Sequence, residues 1–150
     1  MDLILWRHAE AEDGFPDLER KLTPRGRKDA ARIAKWLLAR LPSKFTVIAS
    51  PSRRTQQTAD ALGLPFKTID SLAPGASVAK VLAAAEWPAH NGAVVVVGHQ
   101  PDLGRVAAFL VSGAAADWST RKGGLWWLAH RERNGEGQAV VRAVIAPDLL

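Results

Sequence analysis

Arg7-His8 and Gly98-His99 each follow directly on an apolar run, Leu3 to Trp6 in the first case and Ala93 to Val97 in the second. A third run, Phe45 to Ala49, leads into Ser50-Pro51-Ser52-Arg53-Arg54. Imidazoles and guanidiniums delivered together by strand ends suit a phosphoryl group. Arginine forks match phosphate oxygens two at a time. A helix starting at Ser50-Pro51 adds free N–H groups and the positive end of its dipole, with Arg54 in its first turns. A neutral imidazole can attack phosphorus and become phosphorylated. Neighbouring arginines lower its pKa and keep it unprotonated. A second imidazole can stabilise the equatorial oxygens as charge shifts in the transition state. That chemistry requires no divalent metal.

Other chemistries fit less well. A metal centre would draw on His8, His99 and a carboxylate such as Glu10 or Asp102. The chain has no H-x-H, no H-E-x-x-H and no dense aspartate cluster, and arginines beside the candidate ligands would repel a cation. A Ser-His-Asp hydrolase would need a G-x-S-x-G elbow, which is missing, as is a Walker A loop. There is no cysteine, which removes cysteine-based phosphatases, disulfides and thiolate metal sites.

The elements that must position these residues are readable from pattern. Leu3 to Trp6 is a strand, and a 13-residue polar loop (Glu10 to Leu22) follows, long enough to suggest a role of its own. Thr23 and Pro24 suit the cap and first turn of a helix. Ala30, Ile33, Ala34, Leu37, Leu38 and Leu41 form its apolar face. A second strand covers Phe45 to Ala49. A second helix follows, with Ser50 as cap and Gly63 as stop. Phe66 to Ile69 reads as a short strand, and Val78 to Trp87 as a helix capped by Ser77. The unbroken valines of "AVVVVGHQP" indicate a strand buried on both faces. A helix from Pro101 to Ser112 ends at Gly113. "GLWWLAHR" and "QAVVRAVI" flank Asn134-Gly135 and read as a hairpin with a longer loop. Trp126 and Trp127 face opposite sides of its first strand.

This alternation predicts an α/β fold: three α/β/α layers, a mostly parallel central sheet and a C-terminal antiparallel hairpin at its edge. In such sheets ligands bind beyond the carboxyl ends of the strands. If the three strands are parallel neighbours, both histidines and at least one arginine meet on one rim.

The 150 residues fit one domain spanning 1–150, with 47% hydrophobic and 23% charged residues. The net charge is +5. Its basic residues are spread out and lack aromatic interleaving, so a solvated surface with spare lysine and arginine is expected rather than a nucleic-acid partner; a positive field that draws in an anionic substrate is a third use of such charge. No signal peptide and no membrane-span-length stretch is visible, so the expectation is a cytoplasmic protein with no membrane partner.

"LWRHAEAE" resembles the R-H-G signature of the histidine phosphatase superfamily, which has the fold of the cofactor-dependent phosphoglycerate mutases. "LTPRG", "SPSRRTQQTA" and "VVGHQP" are similar to its later motifs, in the same order, covering Leu3 to about Leu110. In length, in having R-H-A, and in lacking inserted cap regions, the chain is most similar to the small SixA-type phosphohistidine phosphatases. The resemblance implies that His8 is the phosphorylated nucleophile and that Arg7, Arg54 and His99 complete the phosphate pocket. In S-P-x-x-R-x-x-Q-T the matching arginine is Arg54, which leaves Arg53 as a surface residue or a secondary contact. Arg20, in the loop before Leu22-Thr23, is a further candidate substrate contact, and Gln57 and Thr58 read as capping or water-facing residues.

Larger relatives carry an acid after the third strand, which protonates the leaving oxygen. Here "TIDSLAPG" offers only Asp70, equally suited to a turn at a strand end. An alkoxide leaving group needs a proton as it departs. A phosphorylated imidazole has a more labile P–N bond and depends less on a positioned acid. The expected partner is therefore a phosphorylated protein, a phosphohistidine carrier, with a small phosphorylated substrate or a non-catalytic phosphoprotein-binding role as alternatives. No cofactor and no metal are expected.

Overall fold

The protein, described here from a computed structural model covering residues 1–150, is built on one six-stranded sheet. Its strands are β1 (Asp2–Arg7), β2 (Phe45–Ala49), β3 (Lys67–Thr68), β4 (Ala93–Gly98), β5 (Leu125–Arg133) and β6 (Glu136–Ile145), in the order β3-β2-β4-β1-β5-β6. The strands from β3 to β1 are parallel, and β5 and β6 continue the sheet antiparallel. β4 is buried at every position, which explains its unbroken valines.

Four helices cover the two faces: α1 (Pro24–Leu38), α2 (Arg53–Asp60), α3 (Val78–Ala84) and α4 (Asp102–Ser112). Alternation along β1 sends Ile4 and Trp6 to the face packed by α1 and α2, and Leu3 and Leu5 to the face packed by α3 and α4. Trp127 joins the first core, while Trp126 packs at the margin of the second and stacks on Trp118. The α/β/α layering and the edge hairpin agree with the pattern in the sequence.

Several details differ. The cap of α2 is Ser52, whose Oγ accepts from Thr55 N, rather than Ser50. Starting the helix two residues later frees Ser50 for another partner. α3 stops at Ala84, short of Trp87, and Glu86 takes a left-handed conformation (φ 56°) in the turn that follows. Leu38 is exposed, because it falls beside the stripe that carries Ala30, Ile33, Ala34 and Leu37 onto the sheet. The β5–β6 connection is a tight turn: Arg133 pairs with Glu136, and Asn134 and Gly135 both have positive φ. Two consecutive positive φ values match the right-handed twist of the strands, so no longer loop is needed.

The start of α1 is fixed against the segment that leaves β1. Thr23 caps it by accepting from Gly26 N, and Thr23 N donates to the Glu10 carbonyl. Gly26 lies flat on that carbonyl, and a Cβ there would overlap the Glu10 oxygen. Alanine favours helices over glycine by about 1 kcal/mol. Even so, Gly26→Ala is expected to destabilise the fold by roughly 1–3 kcal/mol, because neither backbone can move independently. Urea denaturation tests this, and an unchanged or raised midpoint would contradict the packing argument.

Candidate active site

The pairing of β1 with β4 sets the site. Arg7 lies beside Gly98, and His8 N donates to the Gly98 carbonyl at 3.0 Å. Across β4, Ser50 N donates to the Val97 carbonyl at 3.1 Å. The carboxyl ends of β1, β4 and β2 therefore finish at one level, and the His8 and His99 rings stand 5.5 Å apart. Both side chains are buried, at 7% and 3% exposure, in a region that would normally exclude polar groups.

α2 brings Arg54 to the same place. Arg54, Gln57 and Thr58 sit at i, i+3 and i+4, on one face of the helix. Thr58 Oγ1 accepts from Ala9 N (3.1 Å), and Gln57 Oε1 accepts from Leu22 N (2.7 Å). Neither residue is a cap or a water-facing side chain. They tie α2 to the two ends of the Glu10–Leu22 loop and so hold Arg54 beside the histidines. Arg53 points to the exposed side of the helix.

Hydrogen bonds decide the tautomers. His8 Nδ1 lies 2.7 Å from the Ala9 carbonyl, which can only accept, so Nδ1 carries the proton and Nε2 keeps its lone pair. His99 Nδ1 faces Arg54 Nη2 at 3.4 Å, which can only donate. The His99 proton is then on Nε2 and is donated to Ser50 Oγ at 2.7 Å. Burial above all, then the charges of Arg54, Arg7 and Arg20, push the His8 imidazole down to about 4, although its bond to Ala9 opposes this. Burial, then Arg54 and His8, push His99 down to about 3, with Asp17 opposing. Both rings are neutral at pH 7.

The guanidiniums are partly committed. Arg7 Nη1 donates to the Thr120 carbonyl at 2.7 Å. Arg54 donates from Nη1 to the Asp17 carbonyl at 2.8 Å and from Nη2 to Asp17 Oδ2 at 3.1 Å. The Nε of each arginine is buried and has no partner. A buried N–H without an acceptor costs about 1–3 kcal/mol, which an arriving oxyanion would recover. The arrangement can thus hold a phosphoryl group between two charged donors and offer it an unprotonated imidazole nitrogen. No three His, Asp or Glu side chains gather as a metal-binding cluster.

Arg20 bonds to Asp17 Oδ1 (3.1 Å) and to the Glu12 carbonyl (3.2 Å), and its charge is felt at both histidines. Asp70 opens a short 3-10 turn (Asp70–Leu72) after β3, exposed and in no hydrogen bond or ion pair with the site residues. The carboxylate that does reach the site is Asp17, which sequence reasoning passed over. Burial raises its pKa somewhat, but bonds and charge from Arg54 and then Arg20 outweigh this and hold it below the usual carboxylate range. Its only sequence signal was its place three residues before Arg20. Ser50 and Thr120 were also unforeseen, because each acts through a contact set by tertiary packing.

A model of the histidine phosphatase superfamily (branch 1) matches residues 3–73, a span that includes Arg7, His8 and Arg54. Phosphohistidine phosphatase SixA of Escherichia coli (strain K12) is 30% identical over 122 residues, which cover 75% of this chain and 76% of that protein. This chain belongs to the histidine phosphatase superfamily. Within that family it is of the SixA type. A SixA structure from Nakamurella multipartitia superposes with a TM-score of 0.80 at 29% identity, covering 97% of this chain and 95% of that one. Protein histidine phosphatase SixA, solved complexed with tungstate, shares the fold with a TM-score of 0.78 at 23% identity over 99% of each chain. An uncharacterised Mycobacterium tuberculosis protein, from strain H37Rv, is 31% identical over 118 residues, 74% of this chain and 73% of that protein. Membership supports phosphatase activity. No helix is long and apolar enough to cross a membrane.

The neutral histidines make stability depend on pH. In the unfolded chain each imidazole takes a proton near pH 6.5, whereas in the fold His8 does so only near 4 and His99 near 3. Between these values the unfolded state binds more protons. Stability is therefore full above pH 6.5 and is lost as pH falls toward 4 and below, on the order of 3 kcal/mol from His8 alone. Thermal unfolding followed by circular dichroism from pH 7 to pH 4 should show this decline. A His8→Asn/His99→Asn double variant should show a flatter profile; equal slopes would contradict the assignment.

Proposed function

We propose that this protein hydrolyses phosphohistidine on a protein substrate, through a phosphorylated His8. The observation that carries this reading is the His8 tautomer. Its Nδ1–H is engaged by the Ala9 carbonyl, and its Nε2 lone pair stays unprotonated beside two arginines with free buried donors.

In the first step the Nε2 lone pair attacks phosphorus, the new P–N bond forms and the bond to the substrate imidazole breaks. The leaving imidazole departs with the bonding pair. When its other ring nitrogen carries a proton it leaves neutral and takes no proton from the enzyme. Arg7 and Arg54 bind the phosphoryl oxygens, and His99 stabilises the charge that shifts onto them. A dianion at this position offsets the arginine charge and draws Arg54 Nη2 toward its oxygens; His99 Nδ1, released from that contact, takes a proton from solvent more readily and donates it to a phosphoryl oxygen. In the second step water attacks phospho-His8. The Nδ1–H held by Ala9 makes the imidazole a neutral leaving group again, and phosphate is released.

The acid inventory favours the nitrogen-bound substrate. Asp17 is held ionised by two arginines and cannot supply a proton near neutral pH. Asp70 is exposed at the sheet edge. An alkoxide leaving group would therefore depart with little help, whereas an imidazole needs none. The relative from Escherichia coli carries the same activity in its name. Arg20, anchored to Asp17 on the rim, completes the substrate-binding set.

The test combines trapping with turnover. Phosphohistidine protein labelled with radioactive phosphate should transfer label to the wild-type chain in an acid-labile form. His8→Ala should take up no label and release no phosphate; release at the wild-type rate by that variant would sink the mechanism. Arg54→Ala should lower kcat/KM by about 10²–10³-fold, as for loss of one oxyanion donor. A parallel panel of sugar phosphates and nucleotides should react far more slowly. Selective ester hydrolysis lost in Asp70→Asn would favour a small-molecule substrate instead.

A further inference from the structure

A groove of about 450 Å³ lies beside the phosphoryl site, and nothing in the chemistry above uses it. Its walls are the exposed face of α1 (Arg25, Lys28, Arg32), the Arg121-Lys122 segment and the C-terminal Pro147-Asp148 turn. None of Arg7, His8, Arg54 and His99 lines it, but hydrogen bonds connect it to them. Thr120 accepts from Arg7 Nη1, and Gly123 N donates to the His8 carbonyl at 2.9 Å, so Arg121 and Lys122 lie between two residues hydrogen-bonded to the site. Glu10, two residues after His8, lines the other side.

The lining holds five cations against three carboxylates, and two of those carboxylates are occupied. Glu10 Oε2 accepts from the Thr23 hydroxyl at 2.7 Å, and Asp148 lies 3.6 Å from Arg121. Arg25, Lys28, Arg32 and Lys122 make no ion pair. The placement of Arg25, at the second position of α1, is costly to the helix itself. The first turn of α1 carries no acid, and positive charge at a helix N-terminus opposes the dipole. A row of cations without ion pairs, the first of them set against the helix dipole, points to an anionic partner.

We propose that this groove docks an acidic segment of the phosphorylated protein whose phosphohistidine enters the site, a partner assignment that rests on the function proposed above. From Arg25 to Arg32 the helix rises about 10 Å, longer than one phosphate, and the phosphoryl group itself has its own pocket. The groove has no aromatic side chain to stack a base, and its three carboxylates would face a nucleic-acid backbone unfavourably. A peptide carrying spaced carboxylates can place its charges opposite the arginines and its amides opposite the acids. Such complementarity acts mainly on the rate of encounter and weakens with salt.

Two synthetic phosphohistidine peptides of equal length test this, one with a Glu/Asp tract beside the histidine and one with a Ser/Gly tract. The wild type should prefer the acidic peptide by at least tenfold in kcat/KM, and the preference should shrink between 50 and 300 mM salt. R25E/K28E/R32E should abolish the preference and leave turnover of the neutral peptide unchanged. Glutamates near the start of α1 suit the helix dipole, so the variant should fold. A remote reversal of equal charge, R40E/K44E/R133E, should keep the preference. Loss of preference in the remote variant, or an equal fall with both peptides in the groove variant, would overturn the proposal. Binding of a fluorescein-labelled acidic peptide, measured by anisotropy, reads the groove independently of turnover. If wild type releases no phosphate from either peptide, the proposed function fails, while tenfold weaker peptide binding by the groove variant still supports the groove. Equal binding by wild type and groove variant, or a single-stranded DNA that loses more affinity than the peptide, overturns it.

Discussion

The parallel pairing of β1 with β4 is the constraint on which the rest depends. With Arg7 opposite Gly98, the backbone bond from His8 to the Gly98 carbonyl leaves the two histidines no freedom to drift apart. A slip of one residue along either strand would turn every side chain to the other face. Such a slip would exchange the Ile4 and Trp6 face of the core for the Leu3 and Leu5 face, which the helices on either side are not shaped to accept. The apolar core therefore enforces a polar register. The precision of the candidate site comes from the same packing that stabilises the sheet, because its two histidines directly follow paired strands.

The electrostatics follow from that placement. Two imidazoles close together among arginines cannot both be charged, and burial settles the matter by keeping both neutral. Each ring then has one proton, and its neighbours fix where it goes. A carbonyl claims Nδ1–H of His8, and a serine hydroxyl claims Nε2–H of His99. Ser50 is not the cap of α2, a role taken by Ser52, and its Oγ accepts from Ser52 N at 3.3 Å as well as from His99. With Nε2 turned to Ser50, it is Nδ1 of His99 that faces the arginine.

Local chemistry in the sequence made much of this readable. The helix of α1 announces itself through Thr23, Pro24 and a 3.6-residue apolar stripe, and β4 through its valines. The four residues Arg7, His8, Arg54 and His99 stood out because three strands ended in polar motifs and because the motifs resemble a known family. What stayed hidden depends on contacts between distant segments. Asp17 looks like any loop aspartate until the loop folds back 37 residues in sequence to meet Arg54. Thr120 contributes only its carbonyl, which every residue has. Gln57 and Thr58 were visible as motif members, but their role as ties to Ala9 and Leu22 needs the helix to be docked. The tight Asn134-Gly135 turn was the exception, since a two-residue Asn-Gly signal is local and was read too long.

The segment from Thr120 to Gly124 joins the two halves of the surface. It takes Arg7 through a carbonyl, takes the His8 carbonyl through the Gly123 amide, and accepts from the Trp6 indole through the Gly123 carbonyl at 2.9 Å. Gly123 has a φ of +74°, and a Cβ there would press on Pro147. The chain can follow this path close to His8 only because that residue is glycine. Having made that turn, the segment must expose Arg121 and Lys122 on its outer side, facing α1. The same backbone that bonds to the His8 carbonyl therefore also presents positive charge on its outer side. The His8 backbone and the Arg121-Lys122 cations are in this way tied together through one short segment of chain.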